Sequence, residues 1–188
     1  MSLTTPTLRT PRLRLRPVAA HDADALWRLH SDPEVVRYWD SPAWEDPSRA
    51  DAFLARNAAL AAEDGGVRTV IVDDAGFVGW VTVCDWSPPH RSARLGYCLA
   101  PRSWGRGYAT EAARALLAWG FATLDLHRVQ AEVDTRHPAS ARVLEKLGFR
   151  LEGTLREDCV VDGVVSDSWV FGLLRPEFAG PADHSSGT

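Results

Sequence analysis

The sequence predicts a mixed α/β domain, on three observations. Alternating and β-branched apolar runs, the marks of strands, interleave with segments whose apolar residues recur at helical spacing. Their order is strand, helices, three strands, helix, strand, helix and hairpin. No repeat and no linker interrupts the 188 residues, so residues 1–178 read as a single domain and residues 179–188, small and polar, as a disordered tail.

Taken in order, Arg12-Leu13-Arg14-Leu15-Arg16 alternates charge with leucine, the period of a strand with one buried face, and Pro17 ends it. Ala23, Leu26, Trp27 and His30 then recur at helical spacing behind Asp22 and Asp24, and Ser31-Asp32-Pro33 stops that helix. Residues 34–47 lack a clean period and hold Tyr38, Trp39, Trp44 and several acids. They read as a loop with short helical turns. A second helix follows Ser48, with Ala50, Phe53, Leu54, Asn57 and Ala61 on one face.

After the break at Gly65-Gly66, residues 69–72 form a β-branched strand, Asp73-Asp74-Ala75-Gly76 a turn, and residues 77–84 the antiparallel partner. Residues 85–91, with Pro88-Pro89, are a loop before a strand at 93–99. The helix beyond Gly107 gathers Ala109, Ala112, Ala113, Leu116, Leu117, Gly120 and Phe121 on one stripe. Residues 128–133 alternate as a strand, and residues 138–147 form a short helix closed by Gly148. Two last strands, 149–161 and 164–174, meet at Asp162-Gly163, a strong hairpin signal.

With 24% charged and 45% hydrophobic residues and a formal net charge of -4, the composition suits a soluble globular protein and argues against a general nucleic-acid binder. Cys84, Cys98 and Cys159 are odd in number and form no Cys-x-x-Cys pair. Neither a disulfide framework nor a metal is expected, and the expected setting is a reducing cytoplasm. Residues 1–10 lack the apolar run of a signal peptide and no stretch reaches membrane length, so no membrane partner is expected. Eight tryptophans exceed the needs of a core this size, and some are expected to line a cavity.

The turn between the strand at 93–99 and the next helix carries the strongest functional signal. It breaks at Pro101 and runs through Gly105 and Gly107, flanked by Arg102 and Arg106. A helix start leaves backbone N–H groups unpaired and partly positive, and glycines let an anion approach them, so the turn reads as a phosphate cradle. It is no Walker loop, since Tyr108 follows Gly107 where lysine is needed. It is a poor dinucleotide fingerprint, since Thr110 stands where the third glycine is needed. A plain glycine-rich strand–helix connection is the bland alternative.

Arg102-x-x-Gly105-x-Gly107, followed by Tyr108-Ala109-Thr110-Glu111-Ala112, resembles the acyl-CoA-binding turn of the GNAT N-acetyltransferases. Further segments resemble the RimJ/RimL-type branch, which acetylates protein N-termini or related amines. These are Leu13-Arg14-Leu15-Arg16, Ser31-Asp32-Pro33-Glu34-Val35, Leu95-Gly96-Tyr97, Ser140 with Val143-Leu144-Glu145-Lys146-Leu147-Gly148-Phe149, Glu152-Gly153-Thr154-Leu155-Arg156, and Asp162-Gly163 with Asp167. They fall in the branch's order and cover about residues 8–176. The resemblance implies a GNAT fold: a central, mostly antiparallel twisted sheet, splayed at the acyl-CoA site and flanked by helices.

The resemblance also implies roles. Acetyl-CoA is the donor, with no metal. The backbone N–H of Leu99 is the oxyanion donor, and the pantetheine arm lies along Leu99 and Ala100. The amides of Trp104, Gly105, Arg106, Gly107, Tyr108, Ala109 and Thr110 take the pyrophosphate, with charge added by Arg102, Arg106 and Arg142. Ser140 is the proton donor to the CoA thiolate, although a cap or first-turn role fits its position equally. His137 stands where the branch has an asparagine that bonds the pantetheine. Arg94 stands where it has a glutamate, and a permanent cation is a poor base. Either Asp85, His90 or Asp158 takes the amine proton through water or the amine arrives already free, and Arg94 could instead hold an acceptor's carboxylate. The acceptor pocket is expected from Tyr38, Trp39, Trp44, Trp86 and Trp169, the segment at 34–47 being only partly covered.

These expectations add up to a cytoplasmic, acetyl-CoA-dependent N-acetyltransferase, monomeric or homodimeric, working by direct attack of an amine. Its acceptor is a protein or peptide N-terminus. Acetylation of a small amine such as an amino acid or antibiotic is the alternative. A GNAT-fold module that binds acyl-CoA without catalysis is a third reading, kept open by Arg94 and His137.

Overall fold

A computed structural model describes residues 3–180. Its eight strands form one sheet, in the order β1 (Leu8–Arg9), β2 (Arg14–Pro17), β3 (Gly66–Asp73), β4 (Gly76–Ser87), β5 (Ser92–Leu99), β6 (Arg128–Asp134), β8 (Val164–Leu174) and β7 (Arg150–Val161). Neighbours run antiparallel except β5 and β6, which are parallel. Their ladder joins Ser92 to Arg128, Ala93 to Val129 and Arg94 to Gln130, then stops. Yet β5 continues on β4 as far as Leu99, and β6 continues on β8 as far as Asp134. Strands that part in this way leave a wedge edged by backbone groups that no ladder satisfies. The expected splay is present.

Helices cover both faces. On one, α1 (Ala23–His30), α2 (Pro33–Val36) and α3 (Ser48–Ala62) bring Leu26, Leu29, Val35 and Phe53 onto Trp80 and Cys98. On the other, α4 (Tyr108–Thr123) and α5 (Pro138–Leu147) set Leu116, Leu117, Leu144 and Leu147 among Val81, Val83, Leu95 and Val129. Alternation along β4 separates the two cores, with Val81 and Val83 facing α4 and Trp80 facing α1 and α3. Leu116 and Leu117 are fully buried, and each such side chain stabilises the fold by about 1.5–3 kcal/mol.

Several boundaries differ from expectation, each for a local reason. The strand expected at 12–16 starts only at Arg14, because residues 10–13 form a tight turn in which Thr10 N–H donates to the Leu13 carbonyl at 2.9 Å. β1 is too short to carry a period. β4 runs past Cys84 through a bulge at which Asp85 takes φ 52, so the loop expected from residue 85 begins later. The tail expected at 179–188 lies, from residue 181 on, outside the described residues. Among those residues, no helix is long and apolar enough to cross a membrane.

Candidate active site

The wedge between β5 and β6 opens into a cleft of about 1210 Å³. At one end lie the glycine turn and the first residues of α4; the start of α5 forms one flank, and residues 34–40 close the other end.

The α4 end is made of backbone. Ala100 N–H donates to the Val78 carbonyl at 2.9 Å, so the preceding amide, Leu99, is turned the opposite way, into the wedge. The Leu99 carbonyl shares that direction and accepts the Trp104 indole N–H at 2.7 Å. Beyond the short turn Pro101–Ser103, Gly105 and Gly107 adopt φ 70 and 77, a left-handed geometry that suits glycine. A Cβ on Gly105 would meet nothing within 4 Å, so the space before it is open. Glu111 N–H makes the first bond into the helix, to the Gly107 carbonyl at 3.1 Å. The amides of residues 105–110 have no acceptor among the described residues.

A brace holds this turn. Glu111 accepts from the Thr10 hydroxyl at 2.6 Å and from Arg12 N–H at 3.1 Å and Nε at 2.7 Å. Arg12 also donates to the Arg106 carbonyl at 2.9 Å. Burial works against the Glu111 carboxylate, but the bonds from Thr10 and Arg12 outweigh it and hold its pKa below the usual range. Arg102 does not face the cleft. It bonds Asp73 through two nitrogens at 3.3 Å and the Phe77 carbonyl at 2.6 Å, tying the turn to the β3–β4 hairpin. Arg106 lies 3.8 Å from the same carboxylate and over the Tyr108 ring. Of the expected phosphate arginines only Arg142 lines the cleft, joined there by Lys146. Ala100 packs into the core shared with α1–α3 instead of lining the cleft.

Ser140 sits in the middle of one flank. It is the third residue of α5, whose cap is His137, and its Oγ lies 2.9 Å from the Tyr97 hydroxyl. That hydroxyl also donates to the Ser140 carbonyl at 3.2 Å. Burial pushes the Tyr97 phenol up to about 12, with the Ser140 contact acting the other way, so it stays protonated. His137 stacks on Tyr38 at 4.8 Å between ring centroids. Burial lowers its pKa, Asp134 opposes the shift and Arg142 adds to it.

The far end is made of side chains. Trp80, Thr82 and Cys84 of β4 line it beside Arg94, Gly96 and Cys98 of β5 and Arg68 of β3. Tyr38, Trp39 and Asp40 stand over them, and Asp158 and Cys159 come from β7. Arg94 does not stand free. Glu132 of β6 meets it at 2.5 Å across the wedge, and Asp85 lies 3.8 Å from its other side. Of Asp85, His90 and Asp158, only Asp158 lines the cleft.

Three expected aromatic walls are elsewhere. Trp44 is 6% exposed and stacks on His30 at 4.3 Å, inside the α1–α3 core. Trp86 packs against the α4-side core, as does Trp169. His30 accepts the Trp80 indole N–H at 3.0 Å; burial, reinforced by Arg68, Arg49 and Arg56, takes its pKa down to about 4. All three thiols are raised, foremost by burial, which leaves no activated thiolate among them.

Tyr97, Glu132 and Arg68 received no role from the sequence. Tyr97 lay within a quoted motif, and Glu132 lay in an alternating strand at a position indistinguishable from solvent-facing. Arg68 had a usable signal, a lone charge in a run of strand-forming residues between Val67 and Asp73.

The acetyltransferase (GNAT) domain profile matches residues 12–150. The uncharacterized N-acetyltransferase YoaA of Bacillus subtilis is 34% identical over 173 residues, 91% of this chain and 98% of its own. The spermidine N(1)-acetyltransferase of Escherichia coli is 28% identical over 152 residues, 80% of each chain. Among solved structures, Mycobacterium smegmatis RimJ in complex with CoA-disulfide matches with a TM-score of 0.81 at 30% identity, over 92% of this chain and 87% of that one.

Proposed function

From the premise that this chain belongs to the acetyltransferase (GNAT) family and is an N-acetyltransferase, we propose that it takes the acetyl group from acetyl-CoA and passes it by direct attack to a primary amine, a protein or peptide N-terminus. One observation carries the proposal. The unpaired amides of Leu99 and of residues 105–110 share a single cleft with Ser140. Three free cysteines support a reducing, cytoplasmic setting.

The amides of residues 105–110 suit a pyrophosphate, since the N-terminus of α4 adds partial positive charge to unpaired donors and the glycines leave the approach open. Leu99 N–H is the donor for the negative charge that grows on the thioester oxygen. Ser140 gives its hydroxyl proton to the departing thiolate and regains one from solvent, while the protonated Tyr97 phenol, 2.9 Å from Oγ, offsets the charge in between. Glu132, oriented by Arg94, supplies the acid that the branch carries one strand away, and it holds the incoming amine. Asp158 takes the amine proton through water. With every thiol raised, direct attack is favoured over an acetyl-cysteine route.

The test is CoA release from acetyl-CoA with a panel of peptides and small amines, together with CoA calorimetry. Ser140→Ala is expected to lower kcat by about 100-fold while leaving CoA affinity within about twofold. Tight CoA binding without turnover of any amine would contradict catalysis and favour the binding-module reading. A small-molecule acceptor is the second reading, favoured by the Escherichia coli relative named for spermidine.

A further inference from the structure

The charges of the acceptor end are unevenly matched. Arg94 meets Glu132, and Arg136 meets Asp134. Arg68, in the same cleft, forms no ion pair with any described residue. Its Nε is shut away from solvent with no hydrogen-bond partner. Its guanidinium carbon sits 4.5 Å from the Phe53 ring centroid and 4.8 Å from that of Trp80. Burial lowers its pKa to about 10, with the Cys84 thiol opposing and Arg56 adding to the shift, so it remains charged at neutral pH. Two aromatic faces return only part of the hydration that a half-buried cation gives up, and they accept no N–H from Nε. The residue opposite it across the ladder is Thr82, a hydroxyl and no acid.

A half-buried cation lining a cleft, its Nε closed off without an acceptor and no acid of the described residues paired with it, is the arrangement that a ligand anion completes. We infer that Arg68 is the anion subsite of the acceptor pocket, and that the amine accepted here carries a carboxylate. Glu132 and Asp158 receive the amine end, and Arg68, on β3, receives the carboxylate with its planar fork. The subsite disfavours an acceptor that is cationic throughout, such as a polyamine. The inference rests on the acetyl-transfer reading of the cleft and narrows its acceptor class. The carboxylate could come from a free amino acid or from an acidic side chain beside a peptide N-terminus, which are one chemistry from two sources.

The experiment compares acceptors that differ only in that group, alanine against alanine amide and Ala-Glu-amide against Ala-Gln-amide, with spermidine as the all-cationic reference. In at least one pair the acid is expected to exceed its amide in kcat/KM by about tenfold or more, and the winning pair identifies the source. Arg68→Gln is expected to bring that ratio near one, chiefly through KM, with CoA affinity unchanged; Arg68→Lys retains part of it. Equal rates for acid and amide in both pairs, or spermidine outrunning them, would overturn the assignment on the wild-type protein alone. A chain that binds no CoA loses the acetyl-transfer reading and this inference with it. A chain that turns over amines while ignoring the carboxylate loses only the role of Arg68.

Discussion

At its α4 end the cleft offers backbone, and at its α1–α2 end it offers side chains. The first end consists of amides whose positions are set by two left-handed glycines, a helix start and the parting of β5 from β6. Its arginines face away, toward Asp73. The second end consists of Arg94, Glu132, Asp158, Tyr38 and Arg68, projected from five separate elements or loops. A backbone site binds a ligand common to a whole family, because it depends on chain path. A side-chain site can change its ligand by single substitutions; here arginine stands at position 94, paired with Glu132 on β6.

The contrast is broken most severely by spoiling the chain path. Gly107→Val places a β-branched residue at φ 77 and is expected to weaken CoA binding by about 10- to 100-fold in calorimetry, since such strain amounts to about 1–3 kcal/mol. An unchanged Kd would mean that the turn does not hold the ligand. Arg12→Ala, which loosens the brace on Glu111 and the Arg106 carbonyl, should weaken CoA by no more than about fivefold, in keeping with an exposed ion pair. Arg102→Ala should change it less still, because its partners are Asp73 and Phe77.

Arg102 and Arg106 also show where sequence reading stops. Charge near the glycine turn is visible in the chain, but Asp73, which draws Arg102 and Arg106 aside, comes from the distant β3–β4 hairpin. The glycine turn, the splay at Leu99 and the placing of Ser140 were legible because each is a local matter of spacing, turn residues and helix starts. Tyr97 against Ser140 and Arg94 against Glu132 were not, since both depend on where elements distant in the chain meet. Trp44 was expected to be partly exposed because its segment lacks a period; tertiary packing on His30 buries it.

The side-chain end has a weakness that the backbone end lacks. His30 supports the cleft wall through Trp80 and is held neutral, its pKa of about 4 lying below the ordinary 6.5. The unfolded chain therefore takes up a proton that the folded one refuses between those values. The His30 contribution is complete above pH 6.5 and is lost as pH falls toward 4, by at most about 1.4 kcal/mol per pH unit. Urea denaturation of wild type and His30→Gln should show a stability difference at pH 7 that shrinks by about 1–3 kcal/mol at pH 4.5. A difference independent of pH would contradict the buried, neutral imidazole.

The account depends most on the claim that backbone amides hold the donor. Backbone amide NMR during titration with CoA tests it directly. The largest shifts are predicted at Leu99, Gly105, Gly107, Tyr108, Ala109 and Thr110, with Arg68 and Arg102 little moved. Saturating CoA that leaves those amides in place, or that shifts the Arg68 end instead, would contradict it.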